Sequence, residues 1–373
     1  MDASTERAPA HRPATTTRHF GGFSAIRLVA ALAVVYAHSY DLTGNRLRKP
    51  MFYIGHQQIR LGRIGVDVFF VISGFLIAAS WDRSSSLSDY ARKRIARVWP
   101  ALTTVVLLSV VLIGPIATRL SIGDYFSRSA TYEYAWHNLT MLFGMRHDLP
   151  GVFPNAAQGS VNGSLWTLPY ELWGYVVIAA LGCIRQLRKG PLLYLMLGAT
   201  VTLFHLSYLN KFELRAELAG MGARDAVELA TMFLLGASLS RVRDRLNQRL
   251  ALTGGIALIA VAFAFGVPAI YFIGLGLAVI GAGGFEGSIT RALDRFGDPS
   301  YGIYLFSYPL QQILYTTGAA RTPRPMVMWS FALSLLVGYA SWHCIERPGV
   351  AWIVASRSRR ATAANTAAPT STP

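Results

Sequence analysis

The chain is 373 residues long, 53% hydrophobic and only 14% charged, with a mean hydropathy of +0.37, which is too apolar for an ordinary soluble domain and reads as a polytopic membrane protein. Its formal charge of +16 is almost wholly arginine and lies scattered between apolar segments. That pattern lacks the continuous basic stripe of a nucleic-acid binder and points to anionic lipid headgroups or a phosphorylated ligand.

Residues 1–22 are polar and aperiodic and are expected to form a flexible tail; the first apolar run begins only near Phe23 without a convincing cleavage site, so it is not expected to be a cleavable signal. Candidate spans follow at about 23–40, 64–81, 98–118, 164–184, 191–208, 226–241, 251–267, 268–285, 300–318 and 326–345. This predicts an all-α integral membrane bundle of about ten transmembrane helices, occupying residues 23–347 between two cytoplasmic tails, 1–22 and 348–373. With the N-terminus inside, inner segments hold 21 Lys/Arg and outer ones 13, Arg27 not counted, which favours that orientation. The first outer loop dissents, with Arg46, Arg48, Lys49, Arg60 and Arg63.

The first span carries Arg27 and His38. Eleven residues is close to three helical turns, so the two project from one face, about 20° out of register and roughly 16 Å apart along the axis. Two costly groups in line suggest a polar path across part of the membrane; the alternative is a snorkelling Arg27 and an unrelated His38. The second span places Asp67 near its outer end, where it would either orient the His38 imidazole or merely cap the helix. Next comes DYARKRIARVWP, whose Lys93, Arg94 and Arg97 suit phosphate but also serve as an ordinary positive-inside signal.

Residues 119–163 form the longest loop, assigned outside and expected to be loosely ordered, with His137 and His147 as weak candidates. It leads into NGSLWTLPYELWGYVVIAALGC, where Ser164, Trp166 and Tyr170 crowd the outer end of the fourth span. Glu171 there sits inside the apolar pattern and needs a partner, for which topology offers His38. Spans five to eight read as scaffold. Tyr301 and Tyr304 enter the ninth span on the inner side, able to line a tunnel or simply to pack. Cys183 and Cys344 lie in apolar segments without metal-ligand spacing, so they read as inert core residues and no metal is expected.

Taken together, R-x10-H at Arg27 and His38, GVDVFFVISGFLI, RKRIARVWP, SLWTLPYELWGY and DPSYGIYLFSYPL resemble the ordered motifs of the membrane acyltransferase-3 superfamily, over roughly residues 20 to 350. The resemblance implies an enzyme of the bacterial cytoplasmic (inner) membrane that moves an acyl group, usually acetyl, from acyl-CoA to a hydroxyl of a carbohydrate or glycosylated acceptor. His38 matches the essential histidine, Arg27 the essential arginine, and Lys93, Arg94 and Arg97 the basic loop. This chain has Ser307 where many members carry a histidine. Combining residues and resemblance, Arg27 and the basic loop would hold acetyl-CoA or another acyl-CoA by its phosphates, with Tyr301 and Tyr304 along its tunnel. His38 would act as general base, supported by Asp67 or Glu171, or alternatively carry the acyl group as a covalent acyl-histidine, while Ser164, Trp166 and Tyr170 would face the acceptor. A proton-coupled or anion transporter is the competing class, although no internal repeat or matched pair of broken helices marks one.

Overall fold

The computed structural model describes residues 21–352, apart from 46–49, 143, 155–158, 209–216 and 219–220. Of the expected tails, 1–20 and 353–373 lie outside the described residues. Gly21 and Gly22 instead are buried, with the Gly22 N–H donating to the Gly283 carbonyl at 3.0 Å.

Among the described residues ten helices reach 16 residues: α1 Phe23–Leu42, α2 Leu61–Asp82, α3 Leu87–Leu108, α4 Leu168–Cys183, α5 Leu192–Tyr208, α6 Ala223–Arg241, α7 Gln248–Phe265, α8 Pro268–Gly283, α9 Ser300–Thr316 and α10 Pro323–Ser341. α3 continues through a π turn to Ala117, and α10 through another to Trp352. Five of the helices, α1, α2, extended α3, α7 and extended α10, are long and apolar enough to cross a bilayer; α8 with the short helix Ser288–Phe296 makes a further candidate, bent by 84°. The protein is thus an all-α polytopic membrane bundle. Helices α4, α5, α6 and α9 stand where the sequence predicts spans without meeting that test themselves.

The bundle's directions follow from a few contacts. The Phe23 and Phe75 rings meet at 5.5 Å, and a Cβ on Gly62 would lie 2.7 Å from that of Ala37, so α1 and α2 are antiparallel. Ser73 is therefore level with the turn that carries Arg27, and Asp67 with that of Ala31. α9 runs parallel to α1. Arg27 reaches Asp298, just before α9, at 2.9 Å, and at the other end the Gln311 amide donates to the Val35 carbonyl and Ser39 hydroxyl, both at 2.9 Å. Packing of α2 on α6 depends on glycine at the crossing: a Cβ on Gly74 would strike the Phe233 carbonyl, and one on Gly236 the Val71 carbonyl. Such close backbone approach is how membrane helices gain packing where burial of apolar surface offers no drive.

Three segments depart from the sequence expectation. The first loop contains an antiparallel hairpin, Met51–Ile54 with Gln57–Arg60. The segment 119–163, expected to be loose, carries helices Ile122–Ser127 and Ser129–Thr140. They are tied to α3 by the Tyr125 hydroxyl on the Val110 carbonyl (3.0 Å) and by Trp99 Nε1 on the Leu139 carbonyl (3.0 Å), with Tyr125 and Tyr134 fully buried as anchors. The last helix runs past Pro348, because the π turn Trp342–Glu346 widens the backbone just before the ring would clash. Cys183 and Cys344 are exposed side chains, not core ones.

Candidate active site

The basic face is built from the start of α3. Ser86 caps it by accepting from the Asp89 N–H at 3.1 Å, while the Asp89 carboxylate accepts from the Ser85 N–H at 3.1 Å. Lys93, Arg94 and Arg97 then follow at helical spacing on neighbouring faces. Their electrostatics differ. Lys93 pairs with Asp89 at 2.9 Å. Arg97 is clamped by Glu346 at 2.6 Å and Asp298 at 3.5 Å, the latter shared with Arg27. Arg94 donates to the Ser80 hydroxyl at 3.1 Å and lies 5.9 Å over the Tyr90 and Tyr175 rings, but among the described residues no carboxylate pairs with it and its Nε has no partner. Burial alone would raise the Asp298 carboxyl; the Arg27 and Arg97 guanidiniums and hydrogen bonds from Ser300 outweigh it and hold the group below the ordinary carboxylate range.

Arg27, Lys93, Arg94 and Arg97, together with Arg83 and Arg92, line the basic end of a cavity of about 470 Å³, taken here as its mouth. From Ser80 at the basic end the cavity follows α2 as far as Val66, about 21 Å at 1.5 Å per residue. Phe69, Phe70, Ile72 and Leu76 make it apolar, and Thr167, Leu168, Glu171 and Tyr304 form the opposite wall. Tyr301 also lines it, its hydroxyl donating to the Val98 carbonyl at 3.1 Å beneath the Arg97 guanidinium. The arrangement is a cationic mouth on a narrow apolar shaft. It suits a molecule with an anionic head and a long thin arm.

The other expected site residues are distributed along two sides of this shaft. Glu171 lines the cavity, but at Arg27's level and not at His38's: it accepts from the Ser73 hydroxyl (2.9 Å) and the Tyr175 hydroxyl (2.5 Å). Asp67 is fully buried and turned away from the cavity, 3.7 Å from Arg63, and neither of its oxygens accepts a hydrogen bond. Arg63 itself pairs with Asp225 at 2.7 Å and Glu228 at 2.8 Å and lies 5.3 Å over Trp166. The expected hydrogen bond of His38 to Asp67 or Glu171 is accordingly replaced by two separate networks. The reason is helix rotation, since Asp67 faces α6 while Ser73, six residues on, faces α4.

His38 is half-buried, outside the cavity wall, with its ring edge-on to Tyr308 at 5.1 Å. Ser164 is fully buried, its N–H donating to Asn162 Oδ1 at 3.1 Å and its hydroxyl without a partner. Trp166 and Tyr170 pack edge-on at 5.8 Å, and the Tyr170 hydroxyl donates to the Gly222 carbonyl, so both turn toward α6. His147 Nδ1 is 3.2 Å from the Asn162 carbonyl. The sequence reading passed over Asp298, Ser80, Thr167 and Phe69. Asp298 opens the DPSYG motif and accepts at Oδ1 from the Ser300 N–H (3.2 Å) and hydroxyl (2.6 Å), so its Asp-x-Ser spacing at the helix start is the local signal that could have found it.

Residues 20–343 match the acyltransferase-3 family model, described as an acyltransferase domain. The chain belongs to that family and is a membrane-embedded O-acyltransferase. It is 26% identical to the O-acetyl transferase of Shigella phage Sf6, over 87% of this chain and 94% of that one. It is 29% identical to the exopolysaccharide production protein ExoZ of Rhizobium meliloti (strain 1021), over 83% of this chain and 95% of the relative. The putative peptidoglycan O-acetyltransferase YrhL of Bacillus subtilis (strain 168) is 25% identical over 89% of this chain, which spans about half of that longer protein, 55%. No solved structure shows a significant match to the chain.

Proposed function

We propose that this enzyme moves an acyl group, usually acetyl, from acyl-CoA on the cytoplasmic side of the bacterial inner membrane to a hydroxyl of an extracytoplasmic glycan, as its relatives' names suggest. The observation that carries the reading is the cavity whose cationic mouth, with Arg94 unpaired among the described carboxylates, opens into an apolar shaft toward the His38 level. Planar guanidinium forks suit phosphate and an ammonium adds a point charge, so Arg94 and Arg27, with Lys93, hold the donor's phosphates while Tyr301 and Tyr304 flank its arm. Glu171 uses Oε1 for Ser73 and Tyr175, which leaves Oε2 to accept from an amide N–H of the arm. Its part is thus positioning the donor, and Asp67's is to hold α2 to α6 through Arg63. On this reading the ten long helices all span, with both termini cytoplasmic.

In the reaction the carbonyl–sulfur bond breaks and a carbonyl–oxygen bond forms to the acceptor. His38 takes the hydroxyl proton and passes it to the departing thiolate. Ser164, one residue beyond the Gly163 that packs on Tyr308, contributes a free hydroxyl on the acceptor side. The test is purified protein in lipid nanodiscs with labelled acetyl-CoA and bacterial surface polysaccharide. His38→Ala is expected to lower transfer by about 10²–10⁴-fold, the worth of a positioned base. Undiminished transfer by that variant would sink the assignment.

A further inference from the structure

The donor cavity stops short of His38, and the side chains on that side of its wall are Phe69, Thr167 and Tyr304. His38 and Tyr308 do not belong to that wall. Tyr308, whose ring meets that of His38, comes four residues after Tyr304 and so about 6 Å further along α9. This part of the wall is fixed on three sides. The Tyr304 hydroxyl and Thr167 Oγ1 are 2.6 Å apart, and the Phe69 ring stands edge-on to Tyr304 at 5.8 Å. Phe69 also packs against the small cluster of Ala31, Val35 and Ile303 between α1, α2 and α9, and Val35 is three residues, about one helical turn, short of His38. Thr167 closes a 3-10 turn, Gly163–Thr167, that is tied to α9 by the Asn162 amide on the Leu305 carbonyl at 2.9 Å.

A thioester held in the shaft faces two competing nucleophiles, the acceptor hydroxyl and water entering from the His38 side. Water is far more abundant and smaller, so a site that transfers without wasting donor must keep it from the carbonyl until the acceptor is in place. We propose that Phe69, backed by the Thr167–Tyr304 hydrogen bond, is the specificity-determining barrier that does this. This rests on the acyl-CoA reading above. An apolar ring on a side-chain hinge excludes water at rest, and its displacement by a bound acceptor joins the two halves of the site. Without it, water attacks the thioester carbonyl, the carbonyl–sulfur bond breaks, and a carboxylate, a free thiol and a proton are released with no acceptor acylated.

The experiment measures thiol release from acetyl-CoA by the full-length protein in nanodiscs with no acceptor present, alongside acetyl-CoA binding by calorimetry. Wild type is expected to bind acetyl-CoA and to release thiol slowly. Phe69→Ala is expected to raise release by about tenfold, a small change in barrier, and Tyr304→Phe, which keeps the ring and loses its tie to Thr167, by a smaller factor. Where Phe69→Ala is not recovered folded, Phe69→Leu and Thr167→Val are read in the same way. Thiol release equal to wild type in every recovered variant, with acetyl-CoA binding intact, overturns the barrier alone. Wild-type protein that neither binds nor turns over acetyl-CoA overturns the donor reading and the barrier with it.

Discussion

Arg94 and Arg97 are three residues apart in one basic motif, yet their surroundings give them opposite parts. Arg97 is spent on Glu346 and Asp298, which are buried to 1% and 9% side-chain exposure. Removing it strands a carboxylate in the bundle, and loss of one member of a buried pair costs about 3–5 kcal/mol. Arg97→Ala is therefore expected to give low yields of unstable protein. Arg97→Met combined with Glu346→Leu should recover much of the melting temperature, because apolar replacement of both partners is often neutral. Arg94 leaves no stranded carboxylate behind. Arg94→Ala should fold normally and weaken acetyl-CoA binding by roughly 10- to 100-fold, the range of a hydrogen bond to a charged group at about 1.5–3 kcal/mol, with Arg94→Lys restoring part of it. Calorimetry on the two variants checks the contrast; an Arg94→Ala protein that melts early but binds normally would reverse it. Sequence alone marked both as cations of one motif. Which of them already had a counter-charge depended on residues some 200 and 250 positions away, and no local pattern reports that.

At the scale of elements, most of the architecture was legible because hydropathy and length set where membrane helices form. The predicted spans coincide with long helices throughout, including the paired α7 and α8 split at Pro268. Rotation of each helix about its axis was not legible. The near-continuous apolar run of α2 gives no sign that Asp67 faces α6 while Ser73 and Phe69 face the shaft, so the sequence places Asp67 and Glu171 around His38, whereas in the structure they occupy separate networks. That rotation is fixed by the glycine contacts between α2 and α6. Gly74→Val places a branched side chain against the Phe233 carbonyl. Overpacking of this kind costs about 1–3 kcal/mol, and it pushes apart the helix that lines the shaft from the one that supports it. The expected outcome is a lower melting temperature in nanodiscs together with weaker acetyl-CoA binding. Gly198→Ala on α5, where a Cβ meets nothing within 4 Å, is the control and should be neutral or slightly stabilising. Equal melting of the two variants would show that the α2–α6 crossing does not set the shaft.

For the whole molecule the decisive property is sidedness, since the proposed function puts the donor at the basic end and His38 toward the other and so requires transfer across the bilayer. The charge count that oriented the sequence was weakened by basic residues in the first outer loop. Arg46, Arg48 and Lys49 lie outside the described residues, but the structure disposes of Arg63: Asp225, Glu228 and Asp67 surround it, so it contributes no net positive charge to that face. The opposite end keeps its excess, with Arg83, Arg92 and Arg94 around the cavity mouth, which is the bias expected of a cytoplasmic face. Ser39 and Asn162 are fully buried and no use as labelling positions. Tyr53 on the hairpin before α2 and Ile289 after α8 are 58% and 74% exposed and mark the two ends. With the exposed Cys183 and Cys344 replaced by serine, Tyr53→Cys is expected to react with a membrane-impermeant maleimide in intact cells. Ile289→Cys should react only once the inner face is opened. The reverse pattern would place the cationic mouth outside, where acyl-CoA is absent, and the cross-membrane transfer would fall with it.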